Sequence, residues 1–282
     1  MKNYLLLCGG VGGAKLALGF KNSIDPDNLT IAVNTGDDFT HLGLRICPDL
    51  DTVMYTLAGE SDISKGWGRK DESWNMLSAL SDLEGETWFQ LGDKDLATHI
   101  QRTYLINSGQ SLTEATHDLC ESFNLPKYIF PMSNQSVETY IQTKNRLLSF
   151  QEYFVKLKCE PPVADFVFKG LDKADFNKDL DLAIYDEIII CPSNPYVSIN
   201  PMLQLPKLKN YLHDLAQNLK ADIIHHNNFI GGRYSVLSEV GMVPAYLMGI
   251  NILKLRKNLL KHFSARNKNY LKDSSIKLAS IL

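Results

Sequence analysis

The N-terminal segment decides the fold: residues 4–8 read YLLLC, residues 9–20 read GGVGGAKLALGF, and residues 29–33 read LTIAV. The two apolar runs are typical of buried strands, and the apolar spacing after the glycines is typical of a helix. A strand, a glycine turn, a helix and a second strand favour a parallel sheet. With the β-branched, uninterrupted EIIIC at 187–191 as a further strand, the sequence predicts a doubly wound, mostly parallel α/β sheet with helices on both faces, a Rossmann-like fold.

The glycine-rich turn after the first strand is suited to an anion. Glycine lets a backbone approach a ligand closely, and a helix N-terminus offers unpaired N–H groups and a partial positive charge. The turn fits neither the dinucleotide fingerprint nor the Walker A pattern, so it predicts phosphate or nucleotide binding without naming the ligand. Tight packing without a ligand is the alternative. The residues predicted to bind are Gly9, Gly10, Gly12, Gly13 and Lys15.

Acidic residues follow the second strand and precede the next predicted helix. The first group is NTGDD at 34–38 and the second is PDLDT at 48–52. Ligands of open α/β sheets bind beyond the carboxyl ends of the strands, where NTGDD would lie. Carboxylates beside a phosphate site indicate a hard divalent cation, so we expect Mg²⁺ near Asp37, Asp49 and Asp51. The alternative is that Asp37 is a turn residue and Asp51 the N-cap of a helix.

Two further polar segments are candidates for the site. Asp95 and His99 are four residues apart on one face of a predicted helix, so the carboxylate could orient the imidazole, or both could face a substrate. An exposed or structural histidine is the alternative. Ser193 and Asn194 follow the EIIIC strand, where hydroxyl and amide groups could bind a phosphate or a purine edge. A plain proline turn is the alternative there.

The composition narrows the class of protein. The chain has 282 residues, enough for one large or two modest domains, with 44% hydrophobic and 22% charged residues and a formal net charge of −3. This balance excludes a disordered chain and argues against nucleic acid as a partner. No apolar run approaches the ~20 residues that span a bilayer, so we expect no membrane segment. Five cysteines without Cys-x-x-Cys spacing predict reduced thiols and a cytoplasmic protein.

Taken together, the motifs resemble those of one protein family. The segments are GGVGGAK at 9–15, NTGDD at 34–38, GLRICPDLDTVMYTLAG at 43–59, LGDKDLATHI at 91–100 and PSNPYVSINP at 192–201. In this order they are similar to the 2-phospho-L-lactate transferase family, over residues 1–212. The resemblance implies a step of coenzyme F420 biosynthesis. A guanosine diphosphate-activated donor passes its phosphorylated three-carbon acid, phospholactyl or phosphoenolpyruvyl, to the terminal ribityl hydroxyl of the deazaflavin Fo, and GMP leaves.

The resemblance also implies roles for the candidate residues. Mg²⁺ is the implied cofactor, held by Asp37, Asp49 and Asp51. Asp37, Asp51 and His99 are the catalytic candidates, with Asp51 and His99 as alternatives for the general base. The implied partners are the two small-molecule substrates, with a homodimer as a candidate assembly. The residues implied to bind the nucleotide and the cofactor are those of the glycine turn together with Lys15, Asn34, Asp93, Ser193 and Asn194.

The C-terminal segment departs from this pattern. The recognised motifs end near Leu212, and HNNFIGGRYSVLSEVG at 226–241 resembles a signature of glucose-6-phosphate isomerase. Residues 251–282 carry eight Lys or Arg against a single Asp. We expect a nucleotide- and deazaflavin-binding transferase domain at 1–215 and an atypical, isomerase-like segment at 216–282, which would make the chain a chimera or a truncated fusion. A diverged C-terminus is the alternative. The alternative function for the chain is a catalytically inactive nucleotide-binding relative.

Overall fold

The computed structural model describes residues 1–218. Its strands are β1 (Tyr4–Cys8), β2 (Leu29–Val33), β3 (Phe39–His41), β4 (Leu44–Ile46), β5 (Ile129–Pro131), β6 (Glu138–Thr143), β7 (Leu147–Ser149), β8 (Val163–Lys169) and β9 (Glu187–Ile190). Its helices are α1 (Gly10–Lys21), α2 (Pro48–Ala58), α3 (Asn75–Asp82), α4 (Asp93–Asn107), α5 (Leu112–Ser122), α6 (Asn200–Leu203) and α7 (Pro206–Asn218).

A four-stranded parallel sheet organises the described residues. The strands lie in the order β5–β2–β1–β9, and every neighbouring pair is parallel. Leu6 of β1 lies opposite Ile31 of β2 on one side and Ile189 of β9 on the other. The strands β1, β2 and β9 are the three apolar runs that the sequence predicts as strands, so that prediction is confirmed, although Ile190 of β9 is exposed within the described residues.

Apolar layers cover both faces of this sheet. Successive side chains of a strand point to opposite faces. Leu6 and Cys8 of β1 accordingly pack with α1, α2 and α5. Leu5 and Leu7 of the same strand pack with α6, α7 and Phe176. The predicted doubly wound, mostly parallel α/β fold with helices on both faces is confirmed.

Two smaller antiparallel sheets lie outside the main sheet. In one of them β6 pairs with β7 and with β8. The other is the hairpin of β3 and β4, which connects the end of β2 to the start of α2. This hairpin returns the chain to the carboxyl end of β2, so the acidic segments 34–38 and 48–52 meet at one edge of the main sheet.

Both α1 and α2 begin earlier than the sequence predicts. The glycine turn is not a loop, because α1 starts at Gly10 and the residues up to Gly13 form its first turn. Similarly, α2 starts at Pro48, whose fixed φ suits the first position of a helix. The alternative interpretation of Asp51 as an N-cap is therefore wrong, since Asp51 lies inside the first turn of α2 and Cys47 occupies the cap position.

Two glycines of α1 should respond oppositely to alanine. A Cβ atom at Gly12 would lie 2.3 Å from the backbone oxygen of Pro192, whereas a Cβ at Gly19 would meet no atom of the described residues within 4 Å. We expect Gly12→Ala to lower the free energy of unfolding by ~1–3 kcal/mol, the usual cost of overpacking. Gly19→Ala should raise it by about 0.5–1 kcal/mol, because alanine favours a helix. Denaturant unfolding measures both changes, and equal stabilities would contradict the close approach of α1 to Pro192.

Three further predictions concern the C-terminal segment, the cysteines and the absence of a membrane-spanning helix. The isomerase-like segment and nearly all of the expected second domain at 216–282 lie outside the described residues, so the chimera and the domain boundary stay predictions. The five cysteines lie within the described part and are free thiols, of which Cys159 is exposed and the other four are buried. Among residues 1–218, no helix has both the length and the apolar character required to cross a membrane.

Candidate functional site

The carboxyl ends of β1, β2 and β9 place three predicted segments side by side. Gly9 follows β1, Asn34 follows β2, and Ser193 lies just beyond β9. The Ser193 hydroxyl donates a hydrogen bond to the Gly9 carbonyl oxygen at 2.6 Å and accepts one from the Gly9 N–H at 3.1 Å. These bonds tie the residue before α1 to the end of β9, at the edge where open α/β sheets bind ligands.

Asn34 joins the two acidic segments. Its amide nitrogen lies 2.9 Å from Asp49 Oδ2 and 3.3 Å from Asp37 Oδ1, and donates to both carboxylates. Its amide oxygen accepts from the Gly36 N–H at 2.9 Å, which fixes the turn after β2. One side chain therefore holds the carboxylates of Asp37 and Asp49 together. We call these two residues the acidic pair.

Burial and repulsion govern the protonation of the acidic pair. Burial, followed by the negative charge of Asp49, raises the pKa of Asp37 well above its ordinary value. Burial also raises the pKa of Asp49 to about 6, although hydrogen bonds from Asn34, the Gly10 backbone and Ser198 act in the opposite direction. Two buried carboxylates thus occupy a position where a positive charge would be strongly favourable.

The acidic pair has the chemistry of a site for a hard divalent cation. Mg²⁺ takes oxygen ligands in proteins, usually one or two carboxylates, with water and phosphate oxygens completing its octahedron. A cation at Asp37 and Asp49 would favour their ionised forms and so counter the effect of burial, which raises both pKa values. The neighbouring Asp38 instead pairs with Arg45, with Oδ2 at 3.2 Å from Nη2. Asp37 and Asp49 therefore fit the expected cofactor, and Mg²⁺ at this position stays a proposal.

Asp51, the third predicted metal ligand, belongs to a different cluster. Residues two apart on a helix do not face each other, so Asp51 points away from Asp49. Both of its oxygens accept from the guanidinium of Arg102 in α4: Oδ2 from Nη1 at 3.0 Å, and Oδ1 from Nη2. Arg102 is 1% exposed and Asp51 4% exposed, so this is a buried ion pair with fork geometry. Asp51 is thus paired with Arg102, whereas Asn34 holds Asp37 and Asp49, and metal binding by Asp51 stays a prediction.

His99 and Asp95 lie beside this ion pair, and we call Asp51, Asp95, His99 and Arg102 the α4 cluster. His99 Nδ1 lies 3.2 Å from Nη1 of Arg102, and His99 Nε2 lies 3.4 Å from Asp95 Oδ1. The Tyr55 hydroxyl donates to the same Asp95 oxygen at 2.7 Å. A cavity of about 100 Å³, which we call the α4 cavity, is lined by Asp51, Asp95, His99 and Tyr55. The predicted proximity of Asp95 and His99 is confirmed, and both face this cavity.

The glycines of the first turn of α1 lie close to the acidic pair and to Ser193. A Cβ atom at Gly9 would lie 2.7 Å from Asp49 Oδ2, and one at Gly10 would lie 3.4 Å from Asp49 Oδ1. A Cβ at Gly13 would lie 2.7 Å from the Ser193 hydroxyl oxygen. Close packing by itself requires small residues here, so phosphate binding by the glycines stays a prediction.

Lys15 lies on the opposite, exposed side of α1. It lines a cavity of about 300 Å³ between α1, α2 and the loop that carries Trp67. This cavity and the smaller one beside the α4 cluster share Thr52 and Trp67 in their walls. Lys15 is thus placed at a continuation of the α4 cavity, and its binding of cofactor stays a prediction.

Asp93 and Asn194 have hydrogen-bond partners within the protein. Asp93 accepts from the Ser73 hydroxyl at 2.7 Å and from the Met76 N–H at 3.0 Å, and so caps the start of α3. These bonds, with that from Ser73 foremost, lower the pKa of Asp93 to about 2. Asn194 Oδ1 accepts from the Tyr196 N–H at 2.9 Å and shapes the turn after β9. Both side chains thus stabilise local structure, and ligand contacts by either stay predictions.

Sequence reasoning missed Arg102, which holds the α4 cluster together. It resembles an ordinary surface charge on an amphipathic helix. The signal that could have revealed it is spacing: Asp95, His99 and Arg102 stand at i, i+4 and i+7, the spacing of the buried face of a helix. Three polar residues on such a face indicate a buried polar network.

These observations define the class: an α/β protein with an acidic pair at the carboxyl edge of a parallel sheet and a buried polar cluster beside it. The family model described as 2-phospho-L-lactate transferase CofD matches residues 5–257 of the chain. The chain belongs to this family, as its motifs indicated. The match continues past residue 212, where the recognised motifs end.

Relatives named phosphoenolpyruvate transferase cover most of the chain. The protein of Mycobacterium marinum is 36% identical, over 93% of this chain and 83% of its own length. The protein of Mycobacterium sp. strain JLS is 34% identical, again over 93% of this chain and 83% of its own length. The protein of Mycolicibacterium smegmatis is 36% identical, over 81% of this chain and 74% of its own length. A solved structure of a UPF0052 family member from Bacillus halodurans is 16% identical with a TM-score of 0.48, and the match covers 74% of this chain and 64% of that one.

Proposed function

We propose that this transferase moves a phosphorylated three-carbon acid from a guanosine diphosphate-activated donor to the terminal ribityl hydroxyl of the deazaflavin Fo, with release of GMP. The family assignment supports a transferase of coenzyme F420 biosynthesis. The name of the relatives, phosphoenolpyruvate transferase, favours phosphoenolpyruvate over phospholactate as the acid that is moved.

The observation that carries the proposal is the acidic pair, held by Asn34 next to the first turn of α1. Two buried carboxylates at this position would repel a phosphate on their own. If Asp37 and Asp49 held a divalent cation, its positive charge would let the same arrangement attract a diphosphate. The acidic pair therefore favours a metal-assisted transferase over a catalytically inactive nucleotide-binding relative.

The proposed reaction is a phosphoryl transfer. The hydroxyl oxygen of Fo bonds to the phosphorus that carries the three-carbon acid, and the bond from that phosphorus to the oxygen of GMP breaks. The hydroxyl proton passes to a base, and GMP leaves as a phosphate monoester. Such a transfer requires mainly positioning of the reactants and neutralisation of charge. Bound Mg²⁺ supplies charge neutralisation on the phosphate oxygens.

Different residues of the chain would bind the metal, the diphosphate and the acceptor. Asp37 and Asp49 would hold Mg²⁺, and Asn34 keeps their carboxylates in place. The N–H groups at the start of α1 would receive the diphosphate, with Ser193 fixing the backbone before them. The α4 cavity would receive the acceptor. As the general base, Asp51 is disfavoured because both of its oxygens already accept from the guanidinium of Arg102.

The proposed function is tested by following GMP. The purified protein is incubated with Fo, guanylylated phosphoenolpyruvate and Mg²⁺, and GMP and the phosphorylated deazaflavin are expected in equal amounts. Removal of Mg²⁺ by EDTA should stop both, and re-addition should restore them. Tight binding of the donor without GMP release, with either three-carbon acid, would favour the inactive relative and contradict the proposal.

A further inference from the structure

One tryptophan lies in the walls of both cavities beside α2. Trp67 lines the α4 cavity, and it also lines the cavity of about 300 Å³ that Lys15 borders, which we call the tryptophan cavity. Thr52 is the other residue that the two cavities share. Because Thr52 directly follows Asp51 in α2, Trp67 belongs to the immediate surroundings of the α4 cluster.

Trp67 keeps much of its surface accessible. Within the described residues it is 45% exposed, and Ile63 and Val11 of the same cavity are 93% and 39% exposed. A tryptophan that only supports a core is mostly buried. Large apolar side chains that stay open in a concave wall are typical of a ligand site. The accessible surface of Trp67 can therefore contact a ligand.

The loop that carries Trp67 is held by its own hydrogen bonds. Asp62 Oδ1 accepts from the Lys65 N–H at 3.1 Å, and the Asp62 N–H donates to the Gly68 carbonyl oxygen at 3.1 Å. The indole of Trp67 lies edge-on to that of Trp74, with the ring centroids 6.4 Å apart. Trp67 is thus in position before a ligand binds, which lowers the entropic cost of binding.

The lining of the tryptophan cavity favours a flat, uncharged ring. Its accessible lining is mostly apolar, as in most small-molecule sites. The charged side chains in its wall are those of Lys15 and Asp62, so the described charges favour neither an anion nor a cation. The hydroxyls of Thr52, Thr56 and Ser61 offer hydrogen bonds to the polar edge of a ring. An indole binds the face of such a ring by stacking.

We propose that the tryptophan cavity binds a flat heteroaromatic ring of a substrate, and that this ring stacks on Trp67. The substrates of the proposed function have two such rings, the deazaflavin of Fo and the guanine of the donor. Only the choice between these two rings rests on the proposed function. Either ring is remote from the phosphorus that is transferred, so stacking is the same before and during the reaction, and Trp67 sets affinity and not the rate of transfer.

Support of the loop is the competing role of Trp67. Its contact with Trp74, and the Lys65 ammonium at 5.7 Å from its ring centroid, would stabilise the loop without a ligand. The same ammonium lies closer to the Trp74 ring, at 4.6 Å. Loop support uses the buried part of Trp67 and leaves the exposed part without a role. The two roles differ in what a replacement changes: loop support affects the Tm, and stacking affects affinity.

NMR of protein with nitrogen-labelled tryptophan observes the contact directly, with the Trp67 indole signal assigned by its loss in Trp67→Phe. Fo alone and GMP alone are each added in the presence of Mg²⁺. We expect one of the two compounds to shift the Trp67 signal, because a stacked ring changes the magnetic field at the indole. A Trp67 signal that moves with neither compound would overturn the proposal.

Two replacements separate stacking from apolar bulk, with affinities for Fo and for GMP measured by equilibrium dialysis. Trp67→Leu should bind one compound about tenfold or more weakly, the usual loss for one stacked base, and should raise KM for the corresponding substrate without changing kcat. Trp67→Phe keeps an aromatic face and should retain most of the affinity. Tyr104→Leu replaces a 65% exposed aromatic side chain that lines neither cavity, and this matched control should behave as the wild type.

The outcomes are distinguishable. A loss confined to Fo assigns the tryptophan cavity to the acceptor, and a loss confined to GMP assigns it to the donor. Wild-type affinity of Trp67→Leu for both compounds, or a loss for both together with a lower Tm, would show that Trp67 only supports the loop and would refute the stacking. If Fo or GMP binds through Trp67 but the donor releases no GMP, the proposed function is refuted and the ring site is supported.

Discussion

Replacing Asp49 by asparagine is expected to lower the turnover number by about a hundredfold or more, with the fold intact. Its carboxylate would hold the Mg²⁺ that neutralises the phosphate oxygens, and an amide supplies no countercharge. Loss of one such electrostatic contact typically costs ~3 kcal/mol of transition-state stabilisation. Asp37→Asn should have a similar effect, because Asn34 holds both carboxylates together. GMP release at saturating substrate measures the change.

Stability measurements distinguish a metal ligand from a structural residue. Burial raises the pKa values of both members of the acidic pair, so without metal their ionisation opposes folding once the pH exceeds the ordinary pKa of an aspartate. Either asparagine variant should therefore have a Tm at or above that of the wild type in EDTA. Mg²⁺ at a hundred times its Kd should stabilise the wild type by about 2.7 kcal/mol and the variants much less.

Asp214→Asn, on the exposed surface of α7, is the matched control for these two variants. It should retain the activity of the wild type and its full stabilisation by Mg²⁺. If Asp37→Asn and Asp49→Asn were also as active and as strongly stabilised by Mg²⁺, the acidic pair would not be the metal site.

Arg102→Met is expected to produce the largest loss of stability, ~3–5 kcal/mol, because it leaves the buried carboxylate of Asp51 without its positive partner. The double variant Asp51→Asn with Arg102→Met should recover much of that loss, since no unpaired charge then remains. Denaturant unfolding of the wild type, both single variants and the double variant gives the coupling free energy. A loss below ~1 kcal/mol for Arg102→Met would mean that water, not the protein, surrounds this ion pair.

The main sheet could be predicted because its strands are continuous apolar runs that need no distant partner to be recognised. The site at its edge could be predicted in part for the same reason. NTGDD follows β2 directly, so its position beyond the strand follows from that of the strand, and Asn34, Asp37 and Asp49 do meet there. The glycines were recognised correctly as special, but as a loop, because the sequence does not show that Gly10 to Gly13 can form a helical turn against Pro192.

Side-chain pairing could not be predicted from local sequence. Asp51 and Arg102 are 51 residues apart and lie on different helices, so only the folded chain shows that Asp51 pairs with Arg102. Asp93 is predicted to contact cofactor because of its motif, and the folded chain adds that its carboxylate accepts from Ser73, 20 residues earlier, and from the Met76 N–H at the start of α3. Aspartates in one motif can thus have different partners, and the spacing of the motif does not distinguish them.

The most direct test of the transferase is the fate of the phosphorus that carries the three-carbon acid. The wild type is given Mg²⁺, Fo and a guanylylated phosphoenolpyruvate that is radioactively labelled at that phosphorus, in a single turnover. All the label is predicted to appear in the deazaflavin product and none in GMP. Label that stays in the donor, or appears only as free phosphoenolpyruvate, would contradict transfer to Fo.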